Sequence, residues 1–317
     1  METIDADLRV EIDPSRRRQE LLGFGGAFTD AAGINLKSLP RKTQDRLMRS
    51  YFDKEGIAYT SGRVPIGSTD FSTYNYTYDD VDGDFELKYF DLTQADVDYK
   101  IPYIKWAQEL SAGGLNLVAS PWTAPGWMKE SGTSAGGGML IGEVGSKYYD
   151  TWARYLIEFF HKYKEQGVEF WGMTQQNLPT LALFPNFYVE AVAFTPQMTR
   201  DFVKMNLGPK LRSEGCGDLK LMINDDTRAR LPHDIETVLE DPEAAQYISG
   251  VGLHIYADTV IDPDSQDYLH KKYPNVFLLD TEGATGMAAV NLFLFHGPDL
   301  GSWSNGEIYG DSIIEVL

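Results

Sequence analysis

Residues 171–180 read W-G-M-T-Q-Q-N-L-P-T, and the fold can be inferred outward from this stretch. The mostly apolar run Val168–Met173 changes abruptly into polar side chains and then into Pro179. A buried parallel strand has this pattern when its carboxyl end opens into a pocket. The four polar residues Thr174–Asn177 are therefore expected to face a ligand, whereas Leu178 at the tip has no group that transfers a proton.

Six further apolar runs alternate with stretches of helical periodicity. They are Leu21–Phe28, Ile57–Ile66, Leu115–Ser120, Leu219–Asn224, Gly250–Ile255 and Val276–Asp280. Alternation of strand and helix repeated this often predicts a parallel sheet. Because polar or aromatic residues follow most of these runs, the pattern predicts an α/β fold of the (β/α)8 TIM-barrel type, with a site on the face where the strands end.

The two ends of the chain complicate this barrel. The sequence stops at Leu317, inside a predicted helix after strand seven, and no eighth strand is visible. A seven-stranded sheet would leave open edges, which are costly. We therefore expect either a barrel truncated after strand seven or closure by an atypical segment such as the leading strand Leu8–Ile12. Residues 1–20 are interpreted as that strand and a turn, and residues 21–317 as the barrel domain, incomplete at its C-terminus.

Two helices have informative local signals. Thr93 and Asp96 have the spacing of a capping pair at a helix N-terminus. In a later helix, aromatic residues recur at helical spacing at Tyr148, Trp152, Tyr155, Phe159 and Tyr163. Such a stripe is typical of a helix that packs on a sheet, and it does not indicate a cofactor site.

Composition excludes several classes of function. The 317 residues are 43% hydrophobic and 24% charged, which is ordinary for a globular enzyme, but the formal net charge is -19. Because a phosphate-binding surface requires positive charge, nucleic acid is not an expected partner. The single Cys216 excludes an internal disulfide and a multi-cysteine zinc site, and the five histidines lack metal-ligand spacing. No metal and no cofactor are therefore predicted.

Targeting signals are scarce in the sequence. Met1–Asp7 is polar and acidic and lacks the apolar core of a signal peptide, and no window of 18 uninterrupted apolar residues predicts a transmembrane segment. As it stands, the chain is expected to be cytoplasmic or to have lost a targeting segment. One glycosylation sequon, Asn75-Tyr76-Thr77, instead indicates a secreted relative.

Two residues at strand ends suggest carbohydrate chemistry. Glu282 follows the seventh apolar run, where a retaining glycosidase would place its carboxylate nucleophile about 5–5.5 Å from an acid/base carboxyl. The alternative interpretation is a helix cap or an ion-pair partner. Trp122 lies between Pro121 and Pro125, which would hold its ring rigidly as a sugar-stacking platform, although a core tryptophan fits equally well.

Other acidic residues are weaker candidates. Asp70 follows strand two and would hydrogen-bond sugar hydroxyls, but a solvated loop acid is the simpler interpretation. Asp225 and Asp226 form either a paired carboxylate or a polar strand end, and the second interpretation is favoured.

Eight stretches of the sequence are distinctive when they are taken together. They are GFGGAFTDAAGINL (23–36), RVPIGSTDFSTYNYTYDD (63–80), SPWTAPGWMK (120–129), YDTWARYLIEFF (149–160), FTPQMTRDF (194–202), LGPKL (207–211), DPEAAQYISGVGLHIY (241–256) and LGSW (300–303). In this order they resemble the lysosomal glucosylceramidase (acid β-glucosidase) group of glycoside hydrolase family 30. The resemblance implies a retaining β-glucosidase on a (β/α)8 barrel, with an added β-sandwich built from both ends of the chain. Residues 1–20 would then be a remnant of the sandwich side.

The resemblance also implies a biological setting and a set of site residues. The substrate would be glucosylceramide, hydrolysed to glucose and ceramide in lysosomal sphingolipid catabolism, with a saposin-type activator protein and an anionic lipid surface as partners. By position, Glu282 matches the family nucleophile. The glucose-binding positions fall on Asp70, Trp122 and Asn177, and the positions that line the site around the nucleophile fall on Arg63, His254 and Tyr256.

The sequence departs from the family where the acid/base glutamate belongs. The family motif is N-E-P, and this chain has Asn177-Leu178-Pro179, with Gln176 replacing the preceding family glutamate. The last barrel strand, most of the β-sandwich, the signal peptide and the N-terminal cysteines of the family are also missing. Weak or lost glucosidase activity is therefore expected. The alternatives are a catalytically dead paralogue that binds glucosides or a family partner, and a non-functional truncated product.

Overall fold

Seven parallel strands form one sheet in sequence order. The computed structural model describes residues 11–17, 19–184, 186–258, 261–285 and 301–316. The strands are β1 Gly25–Ala27, β2 Ser61–Ile66, β3 Asn116–Pro121, β4 Gly172–Thr174, β5 Lys220–Thr227, β6 Ile248–His254 and β7 Phe277–Glu282. Each strand pairs in parallel with the next. Sequential parallel strands separated by helices are the arrangement of a (β/α) barrel, so the predicted fold class is confirmed.

Ten α-helices are present in the part of the chain that the structure describes. They are α1 Asp30–Ser38, α2 Arg41–Phe52, α3 Ile101–Leu110, α4 Lys147–Glu165, α5 Pro196–Phe202, α6 Gly208–Ser213, α7 His233–Leu239, α8 Pro242–Ala245, α9 Asp264–Lys272 and α10 Trp303–Val316. None of these helices combines the length and the apolar character needed to cross a bilayer. The predicted leading strand Leu8–Ile12 lies mostly outside the described residues, and residues 11–12 are not in a strand.

Each of the seven predicted strands is found, with some boundaries displaced. β2 begins at Ser61 rather than at Ile57, because Ala58 has a left-handed backbone with φ 52° and lies outside the strand. β5 continues past Asn224 to Thr227 through a bulge, where Asn224 and Asp225 have φ values of 73° and 52°. A bulge re-aims side chains at the end of a strand, and here it leaves the Asp225 side chain fully buried.

The predicted aromatic stripe of α4 packs into the core. Trp152, Tyr155, Phe159 and Tyr163 are at most 1% exposed, whereas Tyr148 at the start of the helix is only half-buried. The Phe159 and Tyr163 rings lie 4.3 Å apart between centroids. Burial of a phenylalanine side chain stabilises a fold by about 1.5–3 kcal/mol, so this stripe anchors α4 firmly.

The predicted pair Thr93 and Asp96 is in contact, and Asp96 also binds a buried lysine. The Thr93 amide and hydroxyl donate to Asp96 Oδ2 at 3.3 Å and 2.8 Å, and Asp96 Oδ1 lies 3.0 Å from Lys100 Nζ. Lys100 is fully buried and also donates to the carbonyl oxygens of Pro65 and Gly67. The end of β2 and the loop that follows it are thereby fixed in place.

Candidate active site

Arg63 on β2 is the hub of a polar network at the carboxyl ends of the strands. Its Nη1 donates to Glu282 Oε2 at 2.5 Å, and its Nη2 donates to Asp225 Oδ2 at 2.8 Å and to Asn177 Oδ1 at 3.1 Å. Its Nε donates to Ser120 Oγ at 3.0 Å. One buried guanidinium thus connects β2 with β3, β5, β7 and the segment after β4, and its five rigid donors suit that task.

Glu282 ends β7 as an ionised and partly accessible carboxylate. Its side chain is 26% exposed, and its Oε1 accepts a hydrogen bond from the Tyr256 hydroxyl at 2.7 Å. Burial alone would raise the pKa of Glu282, but the charges of His254 and Arg63 and the Tyr256 hydrogen bond outweigh burial and hold it below its usual value. The arrangement keeps Glu282 charged and fixes the orientation of its carboxylate.

Asp225 is a buried carboxylate next to Glu282, and both of its oxygens accept hydrogen bonds. Its Oδ2 accepts from Arg63 and from the Thr174 hydroxyl at 2.7 Å, and its Oδ1 accepts from His254 Nε2 at 3.1 Å and from the Thr281 hydroxyl at 2.5 Å. Although burial opposes it, Arg63 and the other donors hold the pKa of Asp225 far below its usual range. A carboxylate with four donors is a structural anchor and a poor proton donor.

The Asp225-Asp226 sequence pair separates in space. Asp226 Oδ1 accepts from the Thr227 amide at 2.7 Å, and burial raises the pKa of Asp226. The pKa values of the two carboxyls are therefore shifted in opposite directions, and the two groups do not form a catalytic pair.

His254 and Tyr256 hold Glu282 from the β6 side. His254 is buried, with Nε2 on Asp225 and Nδ1 3.8 Å from Glu282 Oε1. Burial opposes protonation, but the charges of Glu282 and Asp225 raise the pKa of His254. Burial and the Glu282 charge also raise the pKa of Tyr256 far above its usual value. Its hydroxyl therefore remains a donor to Glu282 at any working pH.

Trp122 and Asp70 form a second part of the site. The Trp122 ring is buried, and the Arg63 guanidinium carbon lies 4.6 Å from its centroid. Asp70 is the most open of the predicted site residues, yet desolvation and the Glu282 charge raise its pKa to about 6.

The segment after β4 has a strained backbone at Leu178. Leu178 has φ 50°, a region that costs a leucine energy and persists only where neighbouring contacts impose it. Its amide donates to the Asp225 carbonyl at 3.0 Å, and its own carbonyl accepts from the Ala182 amide. Beside it, Gln176 Nε2 donates to the carbonyl of Trp122 at 2.6 Å. The tip of β4 is thus fixed against β3 and β5.

The structure brings most of the predicted residues into one cluster. Arg63, Asn177, His254, Tyr256 and Glu282 are joined by ion pairs and hydrogen bonds, and Trp122 stacks beside Arg63. Asp70 is coupled to Glu282 through charge, and Leu178 directly follows Asn177. Among the described residues, no group of three or more histidine, cysteine or acidic side chains is arranged to hold a metal ion.

Sequence reasoning did not single out Ser120 and Thr281, and it treated Asp225 mainly as part of a pair. Thr174 was expected to face a ligand, whereas its hydroxyl donates to Asp225 Oδ2. The missed signal is their common position, because each lies at or near the carboxyl end of a barrel strand. Residues at that edge converge in space although they are distant in sequence.

Comparison with known proteins identifies the relatives of this chain. The family model "Glycosyl hydrolase family 30 TIM-barrel domain" matches residues 21–317. "Putative glucosylceramidase 4" of Caenorhabditis elegans is 46% identical over 98% of this chain and 59% of its own length. "Lysosomal acid glucosylceramidase" of Mus musculus is 40% identical over 98% of this chain and 59% of its own length. The chain therefore spans about three-fifths of these relatives.

Two solved structures superpose on most of this chain. SrfJ from Salmonella typhimurium superposes with a TM-score of 0.82 at 28% identity, over 94% of this chain and 62% of that one. The endo-β1,6-glucanase BT3312 superposes with a TM-score of 0.76 at 27% identity, over 86% of this chain and 60% of that one.

Proposed function

The chain belongs to glycosyl hydrolase family 30, and from this premise we propose that its site is that of a retaining β-glucosidase of the glucosylceramidase type. In this proposal Glu282 attacks the anomeric carbon of a bound glucoside and forms a glucosyl ester. The observation that carries the proposal is the environment of Glu282. A nucleophilic carboxylate must be charged and fixed in orientation, and Arg63 and Tyr256 meet both conditions.

The remaining predicted residues form the glucose subsite. The buried Trp122 offers a ring face for stacking, and Asp70 offers an acceptor for sugar hydroxyls. Asn177 uses its Oδ1 to accept from Arg63, which leaves its amide group to donate to a sugar hydroxyl near Glu282. Arg63 and His254 act behind the nucleophile by keeping it ionised.

We extend the proposal to a lipid-linked glucoside, glucosylceramide, in lysosomal sphingolipid catabolism. Exposed aromatic side chains support this extension, because Phe71 in the loop after β2 and Phe184 and Tyr188 in the loop after β4 are 62%, 57% and 61% exposed. Desolvation raises the pKa of Tyr188, and the nearby Asp70 charge raises it further, so Tyr188 lies close to Asp70. Exposed apolar surface on loops that follow the strand ends suits a ceramide tail, an anionic lipid surface or a saposin-type activator.

Leu178 supports a second candidate, a glucoside-binding protein with little or no turnover. It occupies the position at which the family carries its acid/base glutamate. Without that group the aglycone leaves unprotonated and water is not activated, and general acid assistance alone contributes roughly 10²–10⁴-fold.

Covalent labelling tests the nucleophile. A 2-deoxy-2-fluoro-β-glucosyl fluoride, whose leaving group needs no proton, is expected to add one fluoroglucosyl group to Glu282, detectable by peptide mass spectrometry. Glu282→Gln should remain unlabelled, while Asp226→Asn should label as the parent does. A folded protein that binds a glucose-like iminosugar but shows no adduct would favour the binding protein over the hydrolase.

A further inference from the structure

We propose that this site is a glucosyl transferase for donors and acceptors that need no proton transfer. The donors are β-glucosides of acidic aglycones, such as phenols or carboxylic acids, and the acceptors are small anions. This inference rests on the proposed function, because it requires Glu282 to be the nucleophile. It goes beyond the proposed function by assigning a substrate class to the site, namely substrates that react without the proton that Leu178 cannot supply.

The first support is that Leu178 cannot turn away in favour of another group. Its amide is bound to the Asp225 carbonyl, its carbonyl is bound to the Ala182 amide, and its φ of 50° is imposed by these contacts. The preceding Asn177 is fixed through its amide to the Pro121 carbonyl and through Oδ1 to Arg63. The backbone therefore fixes the direction of the Cα–Cβ bond of residue 178.

The second support is that the polar groups around Glu282 are committed to the nucleophile. Asp225 already accepts four hydrogen bonds, and Tyr256 donates to Glu282 itself. A retaining glycosidase needs its acid on the opposite side of the scissile bond from the nucleophile. Groups that contact Glu282 lie on the nucleophile's side of the scissile bond and cannot act as the acid. Gln176 donates its amide hydrogens to backbone carbonyls.

The third support is that the nucleophile half of the site is intact. The carboxylate of Glu282 is paired with Arg63, hydrogen-bonded by Tyr256 and open to solvent over 26% of its side chain. A site that has a complete nucleophile but a leucine at the proposed proton-donor position is selective by chemistry, because only bonds that break without protonation are cleaved at a useful rate.

The reaction balances without a proton. In the first step a lone pair of Glu282 attacks the anomeric carbon, and the bond to the aglycone oxygen breaks with both electrons leaving on a stable phenolate or carboxylate. In the second step a lone pair of the acceptor anion attacks the same carbon. The bond to Glu282 then breaks, and the electron pair returns to its carboxylate. Two inversions give a β-configured product.

A leaving-group series tests the first step. The kcat/KM for aryl β-glucosides, which reports the first step alone, is expected to fall at least about 100-fold as the phenol pKa rises from about 4 to 10, because leucine at position 178 supplies no proton. Leu178→Glu should flatten this dependence, and the matched Leu178→Gln, which cannot transfer a proton, should stay steep. A kcat/KM that does not depend on the phenol pKa in the parent protein would overturn the proposal.

Azide and formate test the second step. With a dinitrophenyl glucoside, azide is expected to accelerate turnover at least tenfold and to yield β-glucosyl azide, and formate should accelerate turnover similarly. Failure of both anions, in a protein that is labelled at Glu282 by the fluoro sugar, would overturn the transferase while leaving the hydrolase intact. Absence of the Glu282 label would instead overturn the proposed function, and this inference with it.

Asp70 is the competing proton donor, because its pKa of about 6 and its coupling to Glu282 allow it to be neutral in mild acid. Asp70→Asn separates the two explanations. If Asp70 supplies the proton, the variant loses activity selectively on poor leaving groups and the proposal fails. If Asp70 only binds sugar, KM rises for every aryl glucoside, and the dependence of the rate on the phenol pKa is unchanged.

Discussion

The surroundings of Glu282 and the segment after β4 differ in whether they carry the side chains that the proposed reaction needs. On the side of the proposed nucleophile, Arg63 and Tyr256 hydrogen-bond Glu282, and Asp225 binds Arg63 and His254 next to it. At the proposed proton-donor position, the backbone after β4 is fixed with a left-handed φ, but the side chain there is Leu178. Backbone geometry and side-chain chemistry are thus separable, and retention of one does not guarantee the other.

The largest expected effect comes from restoring the acid. Leu178→Glu should raise turnover of an alkyl β-glucoside by about 10²–10⁴-fold, because the fixed backbone already positions residue 178. Leu178→Gln is the control, and the measurement is released glucose at pH 5–6. A folded Leu178→Glu protein without any gain would mean that the two sides are not aligned.

The next effect concerns the anchor on the nucleophile side. Asp225→Asn should lower the free energy of unfolding by about 3–5 kcal/mol, because it leaves Arg63 and His254 with an inadequate buried partner. Asp226→Asn is the matched control and should cost less than about 1 kcal/mol, because burial already favours the neutral form of Asp226. Urea unfolding of both variants measures the difference. Equal losses would contradict the role given to Asp225.

A smaller effect is expected when the Glu282–Tyr256 hydrogen bond is removed. Tyr256→Phe should raise the pKa of Glu282, because the hydroxyl helps to hold it down. Labelling by the fluoro sugar requires ionised Glu282, so it is present above this pKa and lost as pH falls through it. The acidic limb of the plot of labelling rate against pH should therefore move to higher pH. At the midpoint of that limb the labelling rate should fall roughly tenfold, because a hydrogen bond to a charged group is worth about 1.5–3 kcal/mol. An unmoved limb would show that Tyr256 does not tune the nucleophile.

The smallest expected effect is the titration of Asp70. Its raised pKa of about 6 means that it is neutral below this pH and charged above it. A cationic iminosugar should therefore bind a few-fold more tightly as pH rises from 5 to 6.5, and calorimetry would measure the change. Asp70→Asn should abolish that pH dependence; a retained dependence would assign the titration to another group.

The sequence predicted the architecture well because its signals are local. Apolar runs at strand length and the aromatic stripe of α4 depend on neighbouring residues, and both are found. Strand boundaries were less accurate, as at β2 and β5, because left-handed residues such as Ala58 and Asn224 carry no strong sequence signature.

The sequence by itself determined the family, the strand order and the chemical identity of position 178. Only the tertiary structure decided which side chains cooperate, because Arg63 and Glu282 are 219 residues apart and meet only when β2 and β7 lie in one sheet. It also decided that Asp225 is a saturated anchor and Asp226 a separate buried acid, since the bulge in β5 sends adjacent residues into different environments. Charge, burial and hydrogen-bond supply are properties of the folded site, and they determine what each carboxyl does.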